Sequence, residues 1–409
     1  MINIVFILSV IAGLFILVFL VVVHELGHAI VARRNGVKIE EFGIGFPPAA
    51  RKWTVKRSFL GENVVYSLNW LPIGGFVSMK GENSADTQPG SFGAASFWSK
   101  TKIIFAGVAM NWLSAIVFFT ILMWIGMPKV VENQVYVASD TRVDKGTIVV
   151  DKVVAGLPAE KAGLKQGDII NDVAVSKNCP APGVEGYCPV THSSDVSEII
   201  ALTKANPATA FTVKYTRDGH ASETIVTTRS KDEASDGKGA IGVAFTQDKL
   251  TTYHATWSAP IAGVGLTAQL SWETLKGLGD LVMKFSSGVA GLINTDGAER
   301  ARASEQIGET GKSVAGPVGI LFNLLPGAVS AGIVPILLIS GVLSLTLAVM
   351  NILPIPALDG GRWYLMAIYK LLRKPLTQEV EERVVGVGMM IIMGLVVLIT
   401  VADVTKLFK

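Results

Sequence analysis

Every residue from Met1 to Val23 is uncharged and nearly all are hydrophobic, and this run ends on His24-Glu25-Leu26-Gly27-His28. About 20 apolar residues are enough for a helix to cross a bilayer, so the run reads as a membrane span. Its end is chemically loaded. Histidines four apart share one face of a helix, where their imidazoles can hold one Zn²⁺, and the glutamate between them can take a proton from attacking water. Ionisable groups in apolar segments are costly and usually functional, which weighs against a purely structural histidine pair.

Half of the 409 residues are hydrophobic and only 17% are charged, with a mean hydropathy of +0.47. That balance excludes an ordinary soluble enzyme. Four uncharged stretches are long enough to span: Ile2 to Val23, Ile103 to Met127, Gly332 to Ile352 and Val384 to Ala402. Met1-Ile2-Asn3 offers no positive n-region and no small-residue cleavage site precedes His24, so the first span is expected to stay in the mature protein. Residues 33 to 102 hold ten Lys and Arg against five acidic residues. The positive-inside rule therefore places that loop, and the link carrying Arg362, Lys370, Arg373, Lys374 and Arg383, in the cytoplasm. His24 and His28 then lie at the cytoplasmic end of span one. A net charge of +3 gives no reason to invoke a nucleic-acid partner.

Residues 130 to 250 alternate short β-like runs with turn residues and read as a separate domain facing outward. Its stretch Leu157-Pro158-Ala159-Glu160-Lys161-Ala162-Gly163-Leu164-Lys165-Gln166-Gly167-Asp168-Ile169-Ile170, with the later Ile241-Gly242-Val243, resembles bacterial PDZ domains. Such domains bind extended peptides by strand addition beside a helix, here expected at Ser194 to Thr203. A spacer that only excludes bulky substrates is the equal alternative. Cys179 and Cys188 bracket a Pro/Gly-rich insertion in this domain, and either a disulfide or two free thiols suits the spacing.

Residues 251 to 331 mix apolar, aromatic and charged positions, with Pro260, Gly263 and Gly265 as interruptions. They are expected to form an amphipathic, interfacial segment, with two additional spans as the alternative that keeps the topology. Span three follows and ends on Asn351-Ile352-Leu353-Pro354-Ile355-Pro356-Ala357-Leu358-Asp359-Gly360-Gly361. A catalytic zinc usually takes three protein ligands, and Asp359 is the only acid at the matching depth. Prolines and glycines around it break the helix, which at membrane depth requires protein burial or a wet cavity.

HExxH in a first membrane helix, a PDZ-like insertion and NxxPxPxLDGG in a later helix together resemble the bacterial site-two proteases over nearly the whole chain. The resemblance implies a zinc-dependent intramembrane endopeptidase of the bacterial inner membrane. His24, His28 and Asp359 would be the metal ligands, Glu25 the catalytic base, and Asn351 a contact to the substrate backbone. Phe105-Ala106-Gly107-Val108-Ala109-Met110-Asn111 matches the family's span-two pattern, except that Val108 stands where proline is usual. Glu41 to Phe46 and Leu71 to Gly81 resemble its membrane-associated β segments. Val64 to Met79, with Gly74, Gly75 and Phe76, reads as a hairpin that either pairs with substrate or serves packing alone.

The expected fold is thus a polytopic α-helical membrane protein with about four transmembrane helices, a membrane-associated β-hairpin and one extracytoplasmic PDZ-like α+β domain. The expected divisions are 1–32, 33–102, 103–128, 130–250, 251–331, 332–361, 362–383 and 384–402. Its expected partners are single-pass transmembrane substrates (anti-sigma factors or remnant signal peptides), membrane lipid, and a peptide ligand for the PDZ-like groove.

Overall fold

In a computed structural model the residues described are 4–82, 86–175, 192–193, 196–230, 233–236, 239–247, 251–292 and 316–407. They form two compact units, Met1–Ile125 with Ala259–Lys409, and Gly126–Ser258. The chain opens with α1 (Ile4–Arg34), β1 (Ile39–Ser58), β2 (Gly61–Met79) and α2 (Phe97–Ile125). The second unit follows with β3 (Met127–Pro128), β4 (Arg142–Asp144), β5 (Ile148–Val153), α3 (Pro158–Lys161), β6 (Ile169–Val175) and β7 (His192–Ser193). It continues through α4 (Val196–Ala205), β8 (Ala210–Arg217), β9 (His220–Thr227), β10 (Val243–Gln247) and β11 (Thr252–His254). The chain then returns to the first unit with α5 (Ala259–Leu292), α6 (Leu325–Ala331), α7 (Ile333–Ile352), α8 (Asp359–Leu371) and α9 (Gln378–Leu407).

Among the described residues, α1, α2 and α7 are long and apolar enough to cross a membrane. The fourth stretch singled out in the sequence lies within α9. Helix α7 stops at Ile352, two residues before Pro354, whose ring and missing N–H forbid a further turn.

The β segments differ from the expected hairpin. The two arms of Val64 to Met79 do not pair with each other. They instead flank one strand, because Phe42 pairs with Tyr66 on one side and Val77 on the other, and Ile44 with Leu68 and Gly75. The tight turn lies at Phe59 and Leu60, between β1 and β2. Leu60 is buried there among Ala29, Ala32, Ile39, Val64 and Ile103. Arg33, at the end of α1, donates to the carbonyls of Ser58 and Phe59. The sheet is therefore fastened to the charged end of α1 at one extreme, and Gly75, far along β2, abuts Val22 and Glu25 at the other.

Residues 254 to 300 were expected as an amphipathic segment on the membrane surface, with two added spans as the alternative; within them α5 forms one continuous helix that packs lengthwise along α2. Gly263 sits against Ile116 and Thr120, and Trp112 Nε1 donates to Ser271 Oγ at 3.1 Å, so the two helices run antiparallel. Pro260 falls in the first turn, where its absent N–H costs nothing, and Gly263 lets α5 approach Thr120 and Ile116 closely. Neither residue interrupts the helix. The stretch 298–312, whose charge and small residues fit an exposed linker or a helix, lies outside the described residues.

In the second unit a sheet has the order β10-β5-β6-β8-β9, with β7 pairing β6, and a smaller sheet has the order β3-β11-β4. Its core is Ile148, Val150, Leu164, Ile170, Val173, Ile199, Phe211 and Val213 with their neighbours. Asp168, in the turn before β6, is clamped by Arg217 through two 2.6 Å hydrogen bonds and accepts another from Lys165 N. A groove of about 1010 Å³ is lined by Ile200, Thr203 and Lys204 of α4 and by Val243 to Phe245 of β10. Cys179 and Cys188 lie outside the described residues.

Candidate metal centre

His24 and His28 project from one face of α1, and both are buried. Asp359 opens α8 and reaches them from the far side of the break after α7. That break is set by Ala357, which takes a positive φ of 78°, and by Gly360 and Gly361, where any Cβ would strike the backbone carbonyls of Ile352, Leu353 and Ile355. The paired glycines let α8 begin directly against the end of α7. Asp359 is aimed by that approach.

The three donor atoms form a nearly equilateral triangle. His24 Nε2 lies 3.1 Å from Asp359 Oδ2, His28 Nε2 lies 3.3 Å from the same oxygen, and the two Nε2 atoms are 3.1 Å apart. Tetrahedral zinc with bonds of about 2.0–2.1 Å holds its ligands at edges of about 3.3 Å. Asp359 Oδ2 is also buried with no hydrogen-bond partner. Three inward lone pairs, one of them an orphaned carboxylate oxygen, fit a divalent cation. Among the described residues, no other group of three His, Cys, Asp or Glu side chains could hold one.

Helix α2 backs this triangle with residues spaced by four. His28 Nδ1 donates to Ile103 O at 2.8 Å. At Gly107 a Cβ would run into both imidazoles. The Asn111 amide lies 3.2 Å from His24 Nδ1. These three positions share one helical face, and a GxxxN spacing in α2 was the one signal in the sequence that could have revealed them.

A cavity of about 270 Å³ opens onto the triangle, lined by His24, Glu25, Phe46, Gly75, Asn111, Asn351 and Asp359 among others. The structure thus brings together His24, Glu25, His28, Asp359, Asn351 and Gly75. Gly74, at φ 83°, stands beside Phe46. Phe76 does not line the cavity; its ring covers Gly43 on the neighbouring strand. Phe46 occupies the place expected of it, because the β1 strand, not the second arm of β2, delivers an aromatic to the cavity wall. On the other side of the Ala357–Asp359 turn is a second cavity of about 290 Å³ that includes Glu82, Arg362, Glu381 and Glu382.

The profile of peptidase family M50 matches residues 12–395. The chain belongs to peptidase family M50. It is similar to the "Putative zinc metalloprotease CPE1693" of Clostridium perfringens, with 30% identity over 94% of this chain and 95% of that protein. It is also similar to the regulator of sigma-W protease RasP of Bacillus subtilis, at 25% over 98% of this chain and 100% of that protein. The metalloprotease MmpA of Caulobacter vibrioides is 26% identical over 95% of this chain and 93% of its own length. This M50 chain is accordingly a zinc metalloprotease of the membrane-embedded site-two protease type.

Proposed function

We propose that the chain cuts within transmembrane segments of single-pass membrane proteins, with anti-sigma factors and remnant signal peptides as the substrate classes. One observation carries the reading: His24 and Asp359 of the donor triangle line one cavity with Glu25 and Asn351, between α1 and the break that follows α7. His24, His28 and Asp359 would hold the zinc, which when bound supplies Lewis acidity to the scissile carbonyl and to attacking water.

The remaining steps belong to the protein's own side chains. Glu25 takes the proton from water as it attacks and hands it to the leaving nitrogen. Because a transmembrane helix hides its own carbonyls, the substrate must first be unwound. Asn351 can hold the freed backbone through its amide, and the Gly75 to Met79 arm, which among the described residues pairs as a strand with β1 alone, presents its other edge beside Glu25. The charge bias of residues 33 to 102 supports an active site reached from the cytoplasm and a second unit on the outer side. There, the groove between α4 and the edge strand β10 suits an extended peptide of the PDZ-bound kind.

Purified chain loaded with zinc and given a model transmembrane substrate tests this. Glu25→Gln should lower the turnover rate by about 10²- to 10⁴-fold while zinc stays bound. Equal cleavage by both forms would remove Glu25 as base, and no cleavage by the native chain of any single-pass substrate would overturn the reading.

A further inference from the structure

Asn111 stands one helical turn beyond Gly107 on α2 and is almost completely buried. Its amide nitrogen is placed 3.2 Å from His24 Nδ1, while its Oδ1 is buried with no hydrogen-bond partner. Both histidines present Nε2 to Asp359. A neutral imidazole that offers Nε2 as a ligand carries its proton on Nδ1, so each Nδ1 needs an acceptor. His28 has one in the carbonyl of Ile103, 2.8 Å away. Among the described residues His24 Nδ1 has Asn111 alone as a hydrogen-bond neighbour, and a carboxamide's two ends are nearly isosteric, so the network decides which one points where. Turning the amide by half a rotation gives His24 Nδ1–H its acceptor and Oδ1 its donor at once.

We infer that Asn111 is a positioning residue of the metal centre, whose amide oxygen accepts the Nδ1–H of His24 and holds that imidazole with Nε2 toward the cation. The inference rests on the assignment of His24, His28 and Asp359 as ligands. Its backbone is separately fixed, since Ser344 Oγ on α7 donates to Asn111 O at 2.8 Å. The two histidines are thereby oriented by unlike acceptors from one helix, a main-chain carbonyl for His28 and a side-chain amide for His24. Acceptors of this kind fix the tautomer and raise the basicity of the ligand nitrogen.

Zinc affinity of the full chain in detergent, read by competition with a chromophoric chelator, is the test. Asn111→Leu and Asn111→Ala both abolish the acceptor and should weaken zinc binding by about 10- to 100-fold. Asn111→Asp restores an acceptor and should bind zinc at least as tightly as the native chain. Ser344→Ala, which loosens the same backbone position without touching the amide, should leave affinity nearly unchanged. Native-like affinity in the leucine or alanine variant, a tenfold loss in the aspartate variant, or a Ser344→Ala loss equal to that of Asn111→Leu would each overturn the inference. His24→Ala separates the two levels: retained zinc there would refute the ligand assignment, whereas lost zinc with an unaffected Asn111→Leu would refute only the role of Asn111.

Discussion

Gly107 shows how narrowly the metal triangle is set by a residue that binds nothing. A methyl group at this position would run into His28 Nε2 and into the His24 ring, and neither imidazole can retreat. His28 is tied to Ile103 O, and both rings are buried against α2. Gly107→Ala should therefore displace ligand nitrogens by the better part of an ångström, and misplacement of that size costs about 10²-fold in rate. Cleavage assays paired with zinc titration check it, and an alanine variant with native turnover would show that α2 can back away. The three candidate donors were legible because HExxH is a local spacing on one helix, and Asp359 is the lone acid in a broken, otherwise uncharged stretch. Gly107 and Asn111 were not, because their chemistry appears only once α2 lies against α1. A span-two pattern says nothing of which neighbour its glycine and asparagine face.

At the scale of elements, hydropathy found the three helices long and apolar enough to cross a membrane but misjudged whatever carried mixed signals. Glu273, Lys276, Asp280 and Lys284 dilute α5, and its early proline and glycines look like breakers, yet the helix is continuous over Ala259–Leu292. The period-two pattern of the β segments was readable, whereas the insertion of Glu41 to Ile44 between the arms of β2 was not, since pairing partners are a tertiary matter. In the second unit the Gly167-Asp168 turn has a consequence of its own. Burial opposes ionisation of Asp168, but the two hydrogen bonds from Arg217 and one from Lys165 N outweigh it, so the carboxyl sits below its ordinary value. A group that ionises more readily folded than unfolded adds stability that is complete above its unfolded pKa, near 4, and is lost as pH falls through the lower folded value. Limited proteolysis of the full chain should accordingly show cleavage inside residues 126–258 rising as pH drops below about 4. Arg217→Leu should raise that cleavage already at neutral pH and flatten its dependence on acid. A pH response identical to that of the native chain would mean that the clamp contributes nothing.

For the whole molecule, the division into two units separates the donor triangle from the groove beside α4. His24, Glu25, His28, Asn351 and Asp359, the helix α2 that backs them, and the β1–β2 sheet all belong to Met1–Ile125 and Ala259–Lys409, while the α4–β10 groove belongs wholly to Gly126–Ser258. The first unit is also closed without the second. Helix α2 leaves it at Ile125 and α5 re-enters at Ala259, and these helices lie antiparallel, with Gly263 against Thr120 and Ile116. Their ends are near enough for a few glycines and serines to join them. A chain in which such a linker replaces residues 126–258 should still bind zinc within about twofold of the native affinity, because distant sites without shared partners contribute independently. It should also still cut an exposed model transmembrane segment. What should change is discrimination: if the groove or the bulk of the second unit screens substrates, single-pass proteins with large outer domains should become cleavable. Loss of zinc from this shortened chain would show that the second unit holds the metal centre together. Unchanged discrimination would remove the second unit from substrate selection and leave that task to the cavity at Asn351 and the strand edge beside Glu25.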